Sequence, residues 1–116
     1  MEDLNALADE QLELARRAEH GRSAHLFLRD GPLRQSVIAL RAGAELGEHD
    51  APPASSLQVL RGTVRLTGDE VAGGEGGGSG AGAALAAGVV TELPEGRHGL
   101  RADQDAAVLL TAVTAV

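Results

Sequence analysis

The sequence predicts an all-β domain, an antiparallel barrel or sandwich, preceded by one short N-terminal α-helix. Two observations lead to this fold class. From Arg22 onward the chain is a series of short apolar runs separated by glycine, proline and aspartate turns, without helical periodicity between them. Before Arg22, apolar residues instead recur every three or four positions. A length of 116 residues is typical of one domain.

The N-terminal residues 3–20 have the pattern of an amphipathic helix. Its apolar positions are Leu4, Leu7, Ala8, Leu12, Ala15 and Ala18. Asp3 is a suitable N-cap, and Gly21 suits the C-terminal stop. A helix this short needs a surface to pack on. We therefore interpret residues 1–22 as a helix packed on the barrel or on a partner subunit, and residues 23–116 as the barrel.

The barrel region contains six segments that read as strands. They are residues 23–28, 33–40, 56–60, 63–67, 88–93 and 106–113. The clearest local signal is "LQVLRGTVRLTG", which predicts two strands meeting at Gly62.

A glycine-rich tract interrupts the series of strands. Residues 72–88 contain half of the chain's 16 glycines. Gly78-x-Gly80-x-x-Ala83 fits the relaxed dinucleotide-binding fingerprint, but the preceding strand, the following helix and the later acid are missing. We predict a flexible loop at about 72–87.

Composition excludes several classes of function. A net charge of -7 argues against nucleic acid, and the absence of lysine and cysteine excludes Schiff-base and thiolate chemistry. Phe27 is the single aromatic residue, so a pocket in this chain has aliphatic walls. Neither a signal peptide nor an apolar run of about 20 residues is present, which predicts a cytoplasmic protein without a membrane partner.

The first chemical motif surrounds a histidine. Its frame is Gly43, five residues, His49, one residue, Ala51, three residues, Ser55, six residues and Gly62. This resembles the first motif of the cupin superfamily, G-x5-H-x-H-x3-4-E-x6-G. The spacing is kept, but Ala51 and Ser55 replace the second histidine and the glutamate.

A second frame resembles the second cupin motif, G-x5-P-x-G-x-x-H-x3-N. It contains Gly88, Pro94, Gly96 and His98. One residue is missing before the histidine, and Ala102 stands at the asparagine position.

The resemblance covers about residues 33–113 and extends to small single-domain bacterial cupins of the conserved-barrel type. It implies an antiparallel cupin-type β-barrel, a double-stranded β-helix or jelly roll, and a homodimer. In family members with the full set, three histidines and a glutamate hold a divalent metal. Here only His49 and His98 match, so a site for Zn, Ni, Fe or Mn would be weak and unselective.

Other residues are candidates for the pocket. Arg34 and Ser36 share one face of the 33–40 strand, and an inward Arg34 would attract an anion. Ser55 shares the phase of His49 if the proline corner preserves it. Gln58 is a substitute ligand only if a bulge brings it to the same face.

Three functions remain open at this stage, and so does the question of catalysis. The first is a binding protein whose aliphatic barrel pocket holds a small polar or anionic metabolite. The second is a metal-dependent oxygenase, isomerase or lyase that uses His49 and His98. The third is an assembly role in which the barrel is a scaffold.

Overall fold

The computed structural model describes residues 1–50, 53–68, 82–93 and 97–114. Over these described ranges, helix α1 (Leu4–Arg17) is followed by nine strands. The strands are β1 (Arg22–Asp30), β2 (Leu33–Leu40), β3 (Glu45–Asp50), β4 (Ala54–Arg61), β5 (Thr63–Thr67), β6 (Leu85–Ala86), β7 (Val90–Glu92), β8 (Arg97–Ala102) and β9 (Ala106–Val113).

The strands form two sheets. The first has the order β1-β2-β9-β4-β7 and the second the order β3-β8-β5-β6. Every strand pair in both sheets is antiparallel. This confirms the predicted fold class, one helix followed by an antiparallel β-domain, with the strands in two facing sheets rather than one closed ring.

The main core lies between the two sheets. Its buried residues come from both sheets: Ile38, Leu40, Leu57, Val59, Val64, Leu100, Ala102, Ala106 and Val108. Along β2 and β9 the members of this cluster are even-numbered, and along β4 they are odd-numbered. Alternate side chains of a strand point to opposite faces, so this parity defines the inner face of each strand.

Helix α1 packs on the outer face of the five-stranded sheet. Asp3 caps the helix, because its carboxylate accepts hydrogen bonds from the backbone N–H groups of Asn5 and Ala6 at 2.9 and 3.3 Å. The residues at this contact form a second cluster, Ala8, Leu12 and Ala15 from the helix and Ala39 and Ala107 from the sheet. Small residues on both sides let the helix approach the sheet closely. The helix thus buries its apolar face on its own chain.

Three strands were not predicted from the sequence, β3, β6 and β8, and two of them, β3 and β8, contain the two motif histidines. Gly62, where two strands were predicted to meet, connects β4 of the first sheet to β5 of the second. Its φ of +71° is a conformation that favours glycine.

The predicted glycine-rich loop at about 72–87 falls largely outside the described residues. In its described part, Leu85–Ala86 form β6 and pair with Val64 and Thr63. The second sheet therefore extends into the tract that composition alone assigned to a loop.

Within the described residues, no helix is both long enough and apolar enough to span a membrane.

Candidate functional site

A small cavity lies between the two sheets. It has a volume of about 30 Å³ and is lined by Ile38, Leu46, Leu57, Leu66, Leu93, His98, Gly99, Leu100 and Leu110. This volume accommodates one or two water molecules. His98 contributes the single polar side chain among these lining residues. The cavity therefore has the aliphatic walls that the composition predicted.

His98 lies in β8 and is 3% exposed. Leu100 and Ala102, two and four residues further along the strand, belong to the core between the sheets. The same alternation places the His98 imidazole on the inner face, at the wall of the cavity.

His49 lies directly opposite His98 in the register of β3 and β8. The adjacent described pair is Leu46 with Leu100, so three residues of β3 span the distance that two residues of β8 cover. The extra residue is a β-bulge. It keeps the positions of Leu46 and His49 on one face of the sheet although they are three residues apart.

Gly99 explains how the bulge fits against β8. A Cβ atom at this position would lie 2.5 Å from the carbonyl oxygen of Leu46 and 3.1 Å from the carbonyl carbon of Gly47. Both are backbone atoms of the bulged strand, so β3 could not approach β8 this closely with any other residue at position 99. This glycine of β8 thus helps to set the register of His49 and His98.

The inner face of the first sheet changes from apolar to polar along its strands. Aligned residues of β2, β9 and β4 form three rows across this face: Ile38–Val108–Val59, then Ser36–Leu110–Leu57, then Arg34–Ala112–Ser55. The first row belongs to the core and residues of the second line the cavity, whereas the third carries two polar side chains. The polar groups therefore lie at one end of the inner face, beyond the cavity.

Arg34 is already engaged by backbone acceptors. One of its guanidinium nitrogens, Nη1, donates to the carbonyl oxygens of Gly31 and Leu33, at 2.6 and 2.9 Å. Both belong to the β1–β2 connection or the start of β2. Arg34 thus places a positive charge at the polar end of the inner face while its guanidinium holds the turn.

Ser55 and Ser36 differ in their surroundings. The Ser55 hydroxyl oxygen is buried and has no hydrogen-bond partner among the described residues. Ser36 is half-buried and lies opposite Leu110 of β9. A buried hydroxyl without a partner costs free energy, so the Ser55 hydroxyl is suited to bind an added polar group.

The remaining candidates lie elsewhere. Gln58 lies between Leu57 and Val59, whose side chains point to the inner face, so its own side chain points to the outer face. Leu60 lies on that outer face and packs against the second cluster, beside helix α1. The bulge that would bring Gln58 inward is absent between Ser56 and Val59, where the pairing with β9 is continuous. His25 and His20 are exposed.

The donor set does not fit a tight metal centre. Among residues with described side chains, no group of three or more histidine, aspartate and glutamate residues is placed to hold an ion. Position 51 is alanine and position 55 is serine, so the motif itself supplies no carboxylate and no third imidazole. Metal sites that support catalysis usually have three protein ligands.

Sequence reasoning missed most of the leucine residues that line the cavity. Leu46 and Leu100 belong to β3 and β8, which were not predicted, and Leu93 follows β7. The signal available in the sequence was the alternation that places Ile38 and Leu57 on one face of their strands. That face can be recognised as a cavity wall only when the positions of both sheets are known.

Solved structures similar to this chain are cupins or contain a similar fold. One is an RmlC-like cupin protein from Desulfovibrio desulfuricans, with 25% identity, 78% of this chain and 79% of that chain covered, and a TM-score of 0.63. Another is a conserved protein of unknown function from Streptococcus pyogenes, with 22% identity, coverage of 85% and 79%, and a TM-score of 0.66.

A third similar structure belongs to a larger protein, a salicylate 1,2-dioxygenase from Pseudaminobacter salicylatoxidans. The identity is 18% and the TM-score 0.69, and the match covers 94% of this chain but 32% of the dioxygenase. No family model and no curated protein sequence matches the chain.

Proposed function

Since this chain folds as a small cupin domain, as its two motifs predicted, we propose that it binds a small anionic metabolite with a short aliphatic part between its two sheets. The observation that carries this proposal is the change of the inner face from the leucines of the row Ser36–Leu110–Leu57 to the polar side chains of the row Arg34–Ala112–Ser55. An amphipathic ligand matches both parts of such a surface.

The polar end supplies the groups that an anion requires. The Ser55 hydroxyl is buried without a described partner, so it is available to donate a hydrogen bond. Arg34 adds a positive charge on the same row of the inner face. Charge-assisted hydrogen bonds of this kind are about twice as strong as neutral ones.

The cavity limits the size of the aliphatic part. About 30 Å³ accommodates a methyl group as the lining side chains stand, and small movements of these side chains are needed to admit an ethyl or propyl group. We therefore propose a short carboxylate, of about two to four carbons, whose chain points toward Leu57 and Leu110.

Calorimetric titration with acetate, propionate and butyrate tests this proposal, with the matching alcohols as uncharged controls. We expect the carboxylates to bind more tightly than the alcohols. Ser55→Ala should weaken carboxylate binding about fivefold, the loss of one hydrogen bond worth about 1 kcal/mol. Ser56→Ala, on the opposite face of the same strand, is the matched control and should leave the affinity unchanged. Equal binding by the two variants, or no binding by any carboxylate, would contradict the proposal.

A second function, a metal-dependent oxygenase, isomerase or lyase, is favoured by one observation, the opposed positions of His49 and His98. Motif positions 51 and 55, which are alanine and serine, supply no further ligand for it. Metal analysis of the purified protein separates this function from the first.

We also propose a homodimer. Helix α1 does not supply the reason for it, because its buried face meets the chain's own sheet. A different surface, strand β1, has the features of a subunit contact.

A further inference from the structure

Strand β1 forms one edge of the five-stranded sheet. It pairs with β2 on one side, and no described strand pairs with its other side. Free strand edges are templates for pairing with another chain, and proteins commonly block them with proline, lysine or a bulge. The nine residues of β1 contain neither proline nor lysine. A bulge near Phe27 interrupts the strand, which leaves Arg22–Leu26 as a regular unblocked edge.

An apolar side chain projects from this edge. Leu26 is 43% exposed, which is high for a leucine within a strand. Its register partner in β2 is Ser36, and Ala24 is paired with Ile38. Paired residues share a face, so Leu26 and Ala24 lie on the inner face of the sheet.

A groove lies on the same face of the same strand. It has a volume of about 240 Å³ and is lined by Arg22, Ser23, Ala24, Ile38 and Leu46. Leu26, which does not line the groove, is four residues from Arg22 at its far end. The strand therefore carries both an exposed apolar side chain and a groove of mixed lining that is large enough to receive one.

We propose that a second copy of this chain pairs with β1 in antiparallel orientation, with the two-fold axis at Ala24. In this register, Ala24 faces Ala24 of the partner subunit. Leu26 faces Arg22 of the partner subunit and so enters the partner's groove, and the two-fold axis repeats the contact. A two-fold interface requires such a self-complementary surface.

Neighbouring registers are less favourable for physical reasons. An axis at Ser23 pairs three residues instead of five, and an axis at His25 brings the bulged Phe27 into the ladder. A shift by one residue would place inner side chains opposite outer ones. A register that pairs Arg22 with Arg29 would oppose like charges. The axis at Ala24 uses the whole regular edge and separates the two Arg22 side chains.

This inference rests on the proposed homodimer and is independent of ligand binding. Sedimentation of the unmodified protein at about 10 μM tests the dimer itself, and a monomer would overturn both statements. Two sets of variants then test the surface.

The first set compares two leucines of equal exposure. Leu26 and Leu14 are both 43% exposed, but Leu14 lies on helix α1 and is absent from the groove lining. We expect Leu26→Glu to raise the dissociation constant of the dimer by about 30-fold, as expected for a central contact, and Leu14→Glu to leave it unchanged. Unchanged melting of both variants at low concentration shows that they fold. A dimer that resists Leu26→Glu would overturn the proposal.

The second set uses the absence of cysteine from the chain. Ala24→Cys places two thiols at opposed positions of an antiparallel pair, where Cα atoms are about 4.5–5.5 Å apart, within the range of a disulfide. We expect oxidation to convert this variant to a covalent dimer on a non-reducing gel. Leu14→Cys should remain uncrosslinked. Failure of Ala24→Cys to crosslink, or equal crosslinking of both, would overturn the assigned register.

Discussion

His49 and His98 occupy directly opposed positions in β3 and β8. Opposed residues of an antiparallel pair lie on one face of the sheet, so the fold brings together the two histidines that the motifs single out. The other motif positions supply alanine and serine, which lack the donors of a closed site. The chain therefore has the strand pairing that brings the two motifs together but not the full set of metal ligands.

We expect divalent metal to bind this pair weakly and to be lost on dialysis. Two neutral imidazoles provide neither charge compensation nor a complete coordination shell. Metal analysis of dialysed protein, followed by titration with Zn, Ni, Fe or Mn salts, measures this. His49→Ala and His98→Ala should each abolish the weak binding, whereas His20→Ala, at an exposed position after the helix, should not. Retention of about one equivalent of a single metal through dialysis would support the enzyme instead.

Gly99→Ala should destabilise the protein by about 1–3 kcal/mol, the usual cost of adding atoms to a packed position. The added methyl group would lie 2.5 Å from the Leu46 carbonyl oxygen, so β3 and β8 would have to separate. Urea denaturation measures the free energy of unfolding.

Gly47→Ala is the matched control for this change. It adds the same methyl group to the facing strand, where no atom of the described residues other than its chain neighbours lies within 4 Å of the new Cβ. We expect little change in stability. A large loss in Gly47→Ala together with none in Gly99→Ala would contradict the close approach of β3 and β8 at Gly99.

The β3–β8 pair also shows where sequence reasoning reached its limit. The predicted strands, such as 33–40 and 106–113, are rich in valine, leucine and isoleucine, and their alternation is visible locally. The sequences "ELGEHD" and "RHGLRA" contain no β-branched residue, and the bulge breaks the alternation in the first of them. Both are strands through pairing with distant segments, β3 with β8 across about 50 residues and β8 also with β5, which local patterns do not show.

The candidate site was predictable to a similar extent. The two histidines were identified by their spacing from glycine and proline residues. The inner phase of Ser55 and the outer phase of Gln58 followed from alternation along one strand. The leucine lining was not predictable, because it combines residues from both sheets, and the small volume of the cavity depends on how their side chains pack.

Leu110→Ala should enlarge the cavity and allow a longer ligand chain to enter. Leu110 lines the cavity, whereas Leu109 is 8% exposed and points to the other face of β9. Both substitutions remove the same atoms and should cost stability, by up to about 2–5 kcal/mol for a fully buried leucine and less for half-buried Leu110. Only Leu110→Ala should increase the affinity for hexanoate relative to butyrate in a calorimetric titration. The same increase in Leu109→Ala would place the aliphatic part of the ligand elsewhere.

Asp105 connects three parts of the chain and should make stability depend on pH. Its carboxylate accepts a hydrogen bond from the backbone N–H of Ala42 at 2.8 Å and another from Nε of Arg16 at 2.9 Å. The Ala42 hydrogen bond, followed by that from Arg16, lowers the pKa of Asp105 below its ordinary value of 3.8. These contacts tie helix α1 and the β2–β3 connection to the turn between β8 and β9.

The sign of the effect follows from the lowered pKa. The unfolded chain binds a proton at Asp105 more readily than the folded chain does, so folding is favoured when the carboxylate is charged. Its stabilisation is complete above the ordinary pKa and is lost as the pH falls through the lower pKa of the folded state.

We expect Asp105→Asn to reduce the free energy of unfolding by about 1 kcal/mol at pH 7, a modest value because the side chain is partly exposed to solvent. The difference from the unmodified protein should shrink below about pH 4, where the unmodified protein loses this contribution. Urea denaturation at about pH 7, 5 and 3 measures the difference, and Asp9→Asn, whose side chain is 70% exposed, is the control that should change little. A constant difference across this range would show that Asp105 stabilises the turn through its shape and neutral hydrogen bonds rather than through its charge.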